Sequence, residues 1–152
     1  HGKELWNHHK MVKRTMFNYD GVEGGKTGYT TKAGGTLVTF AKRGDQELIV
    51  VDLCAHGYEL YEDTIKMLNY GFNNYKTIAP FKTMNTVLKD DTYGFLKTGN
   101  ELSPYKIPLK HLNDVTVMLE KNQSASKLTY KCKDNKYIIS YDGKQIGSVK
   151  LY

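Results

Sequence analysis

A chain of 152 residues with 39% hydrophobic and 25% charged side chains has the composition of one ordinary globular domain or two small ones, which excludes an intrinsically disordered segment. No apolar run approaches the length of a helical membrane span, and the opening stretch "HGKELWNHHK" is polar, unlike a secretory leader. The formal net charge is +6, but residues 1–72 carry nine basic and nine acidic side chains, so the whole excess falls in 73–152.

That charge shift predicts two domains, 1–73 and 74–152. With no initiator Met, the sequence reads as a processed chain or a piece of something longer. Its lysine-rich second half suits either plain solvation or an anionic surface such as wall polymer, lipid headgroups or nucleic acid. Nucleic acid is disfavoured, because arginine, the usual base reader, occurs only as Arg14 and Arg43.

In chain order, residues 24–31 look extended, and Gly34-Gly35 reads as a turn. "TLVTFAK" (36–42) and "ELIVVDL" (47–53) follow as β-branched, apolar runs, separated by the turn "RGDQ". Together they predict a three-stranded antiparallel meander. The segment 57–72 places Leu60, Tyr61, Thr64, Ile65, Leu68 and Phe72 on one helical face, with Glu59, Glu62 and Asp63 near its start and Gly71 as its stop. The hairpin is apolar on more than one face, and one helix covers only one. The other face is therefore expected to need further helices or a second chain. Beyond residue 73 come short Thr-, Val-, Ile- and Tyr-rich runs between turn residues, including the hairpin signal Asp142-Gly143. The fold class expected is α+β: a meander with its packing helix, then a small all-β domain.

Cysteine and histidine carry no metal pattern. Cys54 and Cys132 lie in different halves without a CxxC, and His1, His8, His9, His56 and His111 show no ligand spacing, so no metal or cofactor is expected. Cys54 ends an apolar run and is expected to be buried.

The stretch "GVEGGKTGYTTKAGG" (21–35) packs six glycines around Lys26 and Thr27. A phosphate-binding loop would need Gly at position 20, where Asp20 stands, and a helix after the lysine, where a strand pattern runs. Arg43-Gly44-Asp45 is explained by its hairpin turn alone. Glycines on a strand instead suit close approach by another backbone. A peptide can add along a strand edge, where Gly28 leaves room for it.

Lys-Thr-Gly on a strand is also the third motif of the penicillin-recognising serine enzymes, whose others are Ser-x-x-Lys and Ser-x-Asn. "YDGVEGGKTGYTTKAGGTLVTFAKR", "LIVVDL" and "YEDTIKMLNYGF" together closely resemble the end of the catalytic domain of the D-alanyl-D-alanine carboxypeptidases, the low-molecular-mass penicillin-binding proteins. "NHHKMV" (7–12) resembles the segment before that motif, and "YDGKQIGSVKLY" (141–152) the end of their C-terminal β-domain. The resemblance is strong over 7–72 and diffuse after it. It makes the first domain the C-terminal part of a transpeptidase-like fold, and the second Lys-Thr-Gly, at 97–99, a turn.

The resemblance implies an enzyme outside the cytoplasmic membrane that trims peptidoglycan stem peptides through an acyl-serine and is acylated by β-lactams. Lys26 would be catalytic, with Thr27, Gly28 and Tyr29 binding substrate; membrane association would come through a tether not present in this sequence. The chain departs from the pattern. None of the 25 residues before Lys26 is serine, no Ser-x-Asn exists, and the one Ser-x-x-Lys, Ser124–Lys127, lies in a turn-like stretch of the second half. The sequence is thus expected to carry the substrate strand and not the nucleophile. Leu60 stands where the family often has Arg, and His9 where Asn is common. The alternative is a non-catalytic module that docks on wall polymer or a protein partner.

Overall fold

Alternating β-branched and apolar residues from 34 to 55 give two paired strands, and the glycine-rich segment before them adds a third. β1 (Val22–Thr30), β2 (Gly34–Arg43) and β3 (Gln46–Ala55) form an antiparallel sheet in that order. The helix α1 (Glu59–Asn74) follows. The computed structural model describes residues 8–12, 15–82, 86–88, 93–98, 101–102, 107–108, 115–134 and 136–150. They fall into two units, His1–Tyr75 and Lys76–Tyr152.

Register decides which side chains share a face, because directly opposed residues of an antiparallel sheet point the same way. Gly25, Thr39 and Val50 form one row, and Thr27, Leu37 and Asp52 the next. This side is packed: Leu37, Ala41 and Val50 join Leu60, Tyr61, Leu68 and Phe72 of α1, with Met11 and Phe17, in one buried cluster. Each fully buried Leu or Phe side chain there stabilises the fold by about 1.5–3 kcal/mol relative to exposure. On the opposite side lie the rows Gly24–Phe40–Ile49, Lys26–Val38–Val51 and Gly28–Thr36–Leu53. There Ile49 is 69% and Leu53 66% exposed, so among the described residues of this unit nothing covers the second face.

Three local expectations in the first unit are corrected. Gly34 and Gly35 are not the turn. They open β2, opposite Thr30 and Tyr29, and the turn is residues 31–33. Gly71 does not stop the helix, which runs to Asn74. A Cβ at Gly71 would meet Leu48 Cδ1 at 2.6 Å, so this glycine lets the helix lie close against β3. Cys54 is exposed, not buried. It is the extra residue where the β2–β3 register shifts at Gly35/Thr36, and its φ of 64° is left-handed. Such a bulge rotates the side chain off the alternation that the apolar run predicts.

The second unit is built from strands. β4 (Tyr75–Ile78) pairs β9 (Val117–Glu120). Of the short strands between them, β6 (Tyr93–Thr98) pairs β5 (Thr86–Leu88), β7 (Glu101–Leu102) and β8 (Ile107–Pro108). β10 (Leu128–Lys133), β11 (Lys136–Tyr141) and β12 (Lys144–Lys150) form a second antiparallel meander. Its core is Phe81, Leu119, Leu128, Tyr137 and Ile139. Asp142 and Gly143 both have positive φ and close the β11–β12 hairpin that the Asp-Gly signal predicts. Lys97 and Thr98 are the last residues of β6 rather than a turn; Gly99 lies outside the described residues, as do His1, Asn7, Arg14 and His111. Of the predicted Ser-x-x-Lys, Ser124 caps a short 3-10 turn, its Oγ accepting from the Ser126 N–H at 3.3 Å.

Candidate functional site

Among the described residues β1 pairs only β2, which leaves main-chain groups on its other edge open to a ligand. Strand alternation sends Lys26 and Gly28 to the bare face, with Val38 and Thr36, and Thr27 and Tyr29 to the helix side, with Leu37 and Gly35. The Lys26 ammonium folds back along the strand and donates to the Thr27 carbonyl at 2.6 Å. Main-chain groups two residues apart point to the same edge, so the Tyr29 N–H points the same way as that carbonyl. The four predicted site residues therefore share one edge strand. Their side chains do not converge on one point: Thr27 and Tyr29 face one side and Lys26 the other.

Two of the glycines are required by packing. At Gly25 a Cβ would lie 2.5 Å from His9 Cδ2 and Nε2 and 2.1 Å from the Val38 carbonyl oxygen. At Gly28 it would meet Thr36 Oγ1 at 2.6 Å, so this position stays small for the sheet's own sake, whatever binds there.

His9 is the residue that sequence reasoning undervalued. It is 1% exposed and lies against β1 at Gly25. The Met11 N–H donates to its Nδ1 at 3.3 Å, which places the proton of a neutral ring on Nε2, 2.9 Å from Thr39 Oγ1. Burial lowers its pKa, opposed by hydrogen bonding with the backbone of Val38 and of His9 itself. The neutral ring thus braces the strand from beneath. The hint in the sequence is the glycine pair before Lys26, but nothing in the pattern says which side chain fills the space. On the same side, the Asp52 carboxyl is pushed up, first by burial and then by the charge of Asp63.

A cavity of about 450 Å³ opens on the helix side of β1. Thr27, Gly28 and Tyr29 line it, together with Lys10, Tyr58 and Leu60. The Lys10 ammonium sits 4.3 Å from the centre of the Tyr58 ring. Lys26 does not line it. Among the described residues no group of three or more His, Cys, Asp or Glu is placed to hold a metal ion.

No family model matches the chain. It is 29% identical over 154 residues to the D-alanyl-D-alanine carboxypeptidase DacF of Bacillus subtilis, a match that covers 98% of this chain and 37% of that protein. It is 35% identical over 77 residues to the D-alanyl-D-alanine carboxypeptidase DacC of Escherichia coli, covering 50% of this chain and 18% of that protein. Among solved structures, penicillin-binding protein 5 from Haemophilus influenzae superposes with a TM-score of 0.57 at 26% identity, over 87% of this chain and 41% of that one. Penicillin-binding protein 6B from Escherichia coli superposes with a TM-score of 0.54 at 20% identity, a likeness of fold alone. The homologues and structural neighbours of this chain are thus D-alanyl-D-alanine carboxypeptidases and penicillin-binding proteins, and the match runs over most of its residues. The chain spans 37% or less of the length of these curated relatives.

Proposed function

We propose that this chain is the substrate-strand part of a serine-type D-alanyl-D-alanine carboxypeptidase acting on peptidoglycan stem peptides outside the cytoplasmic membrane. The observation that carries this reading is the open edge of β1, which holds Lys26, Thr27, Gly28 and the Tyr29 N–H in the order of the family's third motif. The stem peptide adds along that edge. Thr27 donates its hydroxyl to the terminal carboxylate. The Tyr29 N–H binds the oxyanion as the tetrahedral centre forms, where a fixed donor favours the transition state over the ground state. Lys26 supplies positive charge and assists proton movement on the face where Val38, Val51 and Leu53 are bare. The proposal puts the attacking serine, and the cover of that face, in a part of the enzyme outside this sequence, because the five serines here all lie beyond residue 100. A β-lactam would acylate the same serine.

The test is acylation by a fluorescent penicillin, read by gel and intact mass. The 152-residue chain alone should stay unlabelled. The chain extended by its upstream segment should label, and Lys26→Ala should slow that labelling by roughly 100-fold or more, as loss of a proton-transfer group does. Unchanged labelling in Lys26→Ala and Thr27→Ala would sink the assignment.

One observation favours a second role, for the C-terminal unit. Lys133, Lys136 and Lys150 stand directly opposite one another across β10, β11 and β12, and Lys131 shares their face. We infer that this row docks the protein on an anionic wall polymer. Retention on an immobilised polyphosphate polymer should fall with salt and with Lys136→Glu. Retention indifferent to both would remove this reading and leave the first intact.

A further inference from the structure

We propose that the ammonium of Lys10 is the counter-charge for the terminal carboxylate of the peptide lying along β1, so that Lys10 sets the preference of this cavity for ligands with an anionic end. The inference rests on the proposed function and deepens it by naming the residue that tells an acid from an amide.

The charge of the cavity points this way. Among the described residues that line it there is no Asp or Glu, whereas Lys10, His8 and His56 all carry basic groups. The nearby carboxylate of Glu59 is engaged in the start of α1, where its Oε2 accepts from the His56 N–H at 3.3 Å. Lys10 makes no ion pair among the described residues. A lysine without an acidic partner ordinarily extends into water. This one is held over two aromatic faces, 4.3 Å from the centre of Tyr58 and 5.9 Å from that of Tyr61. Attraction to the ring quadrupoles keeps the charge at the cavity rather than in bulk solvent.

The backbone under Lys10 is also fixed. Its carbonyl accepts from Thr15 Oγ1 at 2.8 Å, and the preceding residue is the buried His9. A cation is therefore pre-positioned on a wall shared with Thr27, whose hydroxyl is neutral. A neutral donor favours a carboxylate over an amide only through one charge-assisted hydrogen bond, whereas a fixed ammonium adds the attraction of opposite charges. Leu60, on the same wall, contributes no charge. The volume suits the end of a small peptide and not a folded partner.

The experiment is an NMR titration of the 152-residue chain with N-acetyl-D-alanyl-D-alanine and, separately, with its C-terminal amide. The acid should shift the amides of Thr27, Gly28 and Tyr29 and bind roughly three- to tenfold more tightly than the amide, the range for a half-exposed charged contact. Lys10→Met should sharply narrow the difference between the two ligands, and Lys10→Arg should restore it. Equal affinities in the unsubstituted chain, or an acid preference that survives Lys10→Met undiminished, would overturn the role of Lys10 while leaving the strand reading in place. If neither ligand moves the β1 amides, the strand reading fails and this inference with it. The acid-versus-amide comparison in the unsubstituted chain needs no variant and decides the matter even if Lys10→Met does not fold.

Discussion

The two meanders of this chain share a topology and use their outer faces in opposite ways. In β1–β3, one face packs under α1, and the other carries Val38, Ile49, Val51 and Leu53 with little over them. In β10–β12, one face buries Leu128, Tyr137 and Ile139, and the other carries Lys131, Lys133, Lys136 and Lys150. An apolar outer face costs free energy in water and marks a place where more protein belongs. A lysine face is stable wet. The first sheet therefore has the character of an interior strip with one wall bare, and the second that of a finished surface.

The sharpest way to break this comparison is to truncate the same residue type on the two faces of the first sheet and its helix. Leu68 is fully buried under the sheet, and Leu53 is 66% exposed on the bare side. Leu68→Ala should destabilise the first unit by about 2–5 kcal/mol, whereas Leu53→Ala should cost within about 0.5 kcal/mol in this chain. Denaturant unfolding followed by amide signals from each unit checks both. The bare face should also drive self-association. Sedimentation should show mass rising with concentration, and Ile49→Thr with Leu53→Thr should abolish the rise. A chain that stays monomeric at high concentration with both residues intact would mean that this face needs no cover.

Much of this arrangement is legible in the sequence, and the parts that are not have a common cause. Periodicity gives β2, β3 and the buried side of α1, because the apolar alternation and the 3.6-residue spacing are local properties. The Lys26–Tyr29 strand is legible through its motif and the extended pattern around it. Gly71, Cys54 and His9 are not legible, because each depends on a neighbour far along the chain. Gly71 answers to Leu48, Cys54 to a register shift against Gly35, and His9 to the space left by Gly25. A glycine near a helix end looks like a stop when only local geometry is weighed, and a cysteine after an apolar run looks buried. Lys10 is hidden for the same reason: its place over Tyr58 links residues 48 positions apart in the chain.

Acid offers the finest separation of the two sheets. All the described histidines, His8, His9 and His56, lie in the first unit, where burial lowers the pKa of His9. A histidine whose folded-state pKa lies below the unfolded value of 6.5 leaves stability untouched above that pH. As pH falls below 6.5 the unfolded chain takes up a proton that the folded chain refuses, so stability declines until the lowered folded-state pKa is reached. Asp52 works in the opposite sense at lower pH. Its raised pKa means that the folded carboxyl takes up a proton before the unfolded one does, which returns some stability as acidification continues toward 3.8. The amide signals of β1–β3 should therefore report a loss of stability that begins just below pH 6.5 and depends on His9. His9→Gln keeps a donor toward Thr39 and cannot titrate, so it should flatten the profile of the first unit. If the profile keeps its slope in that variant, the buried imidazole is not what makes the β1–β3 sheet acid-sensitive.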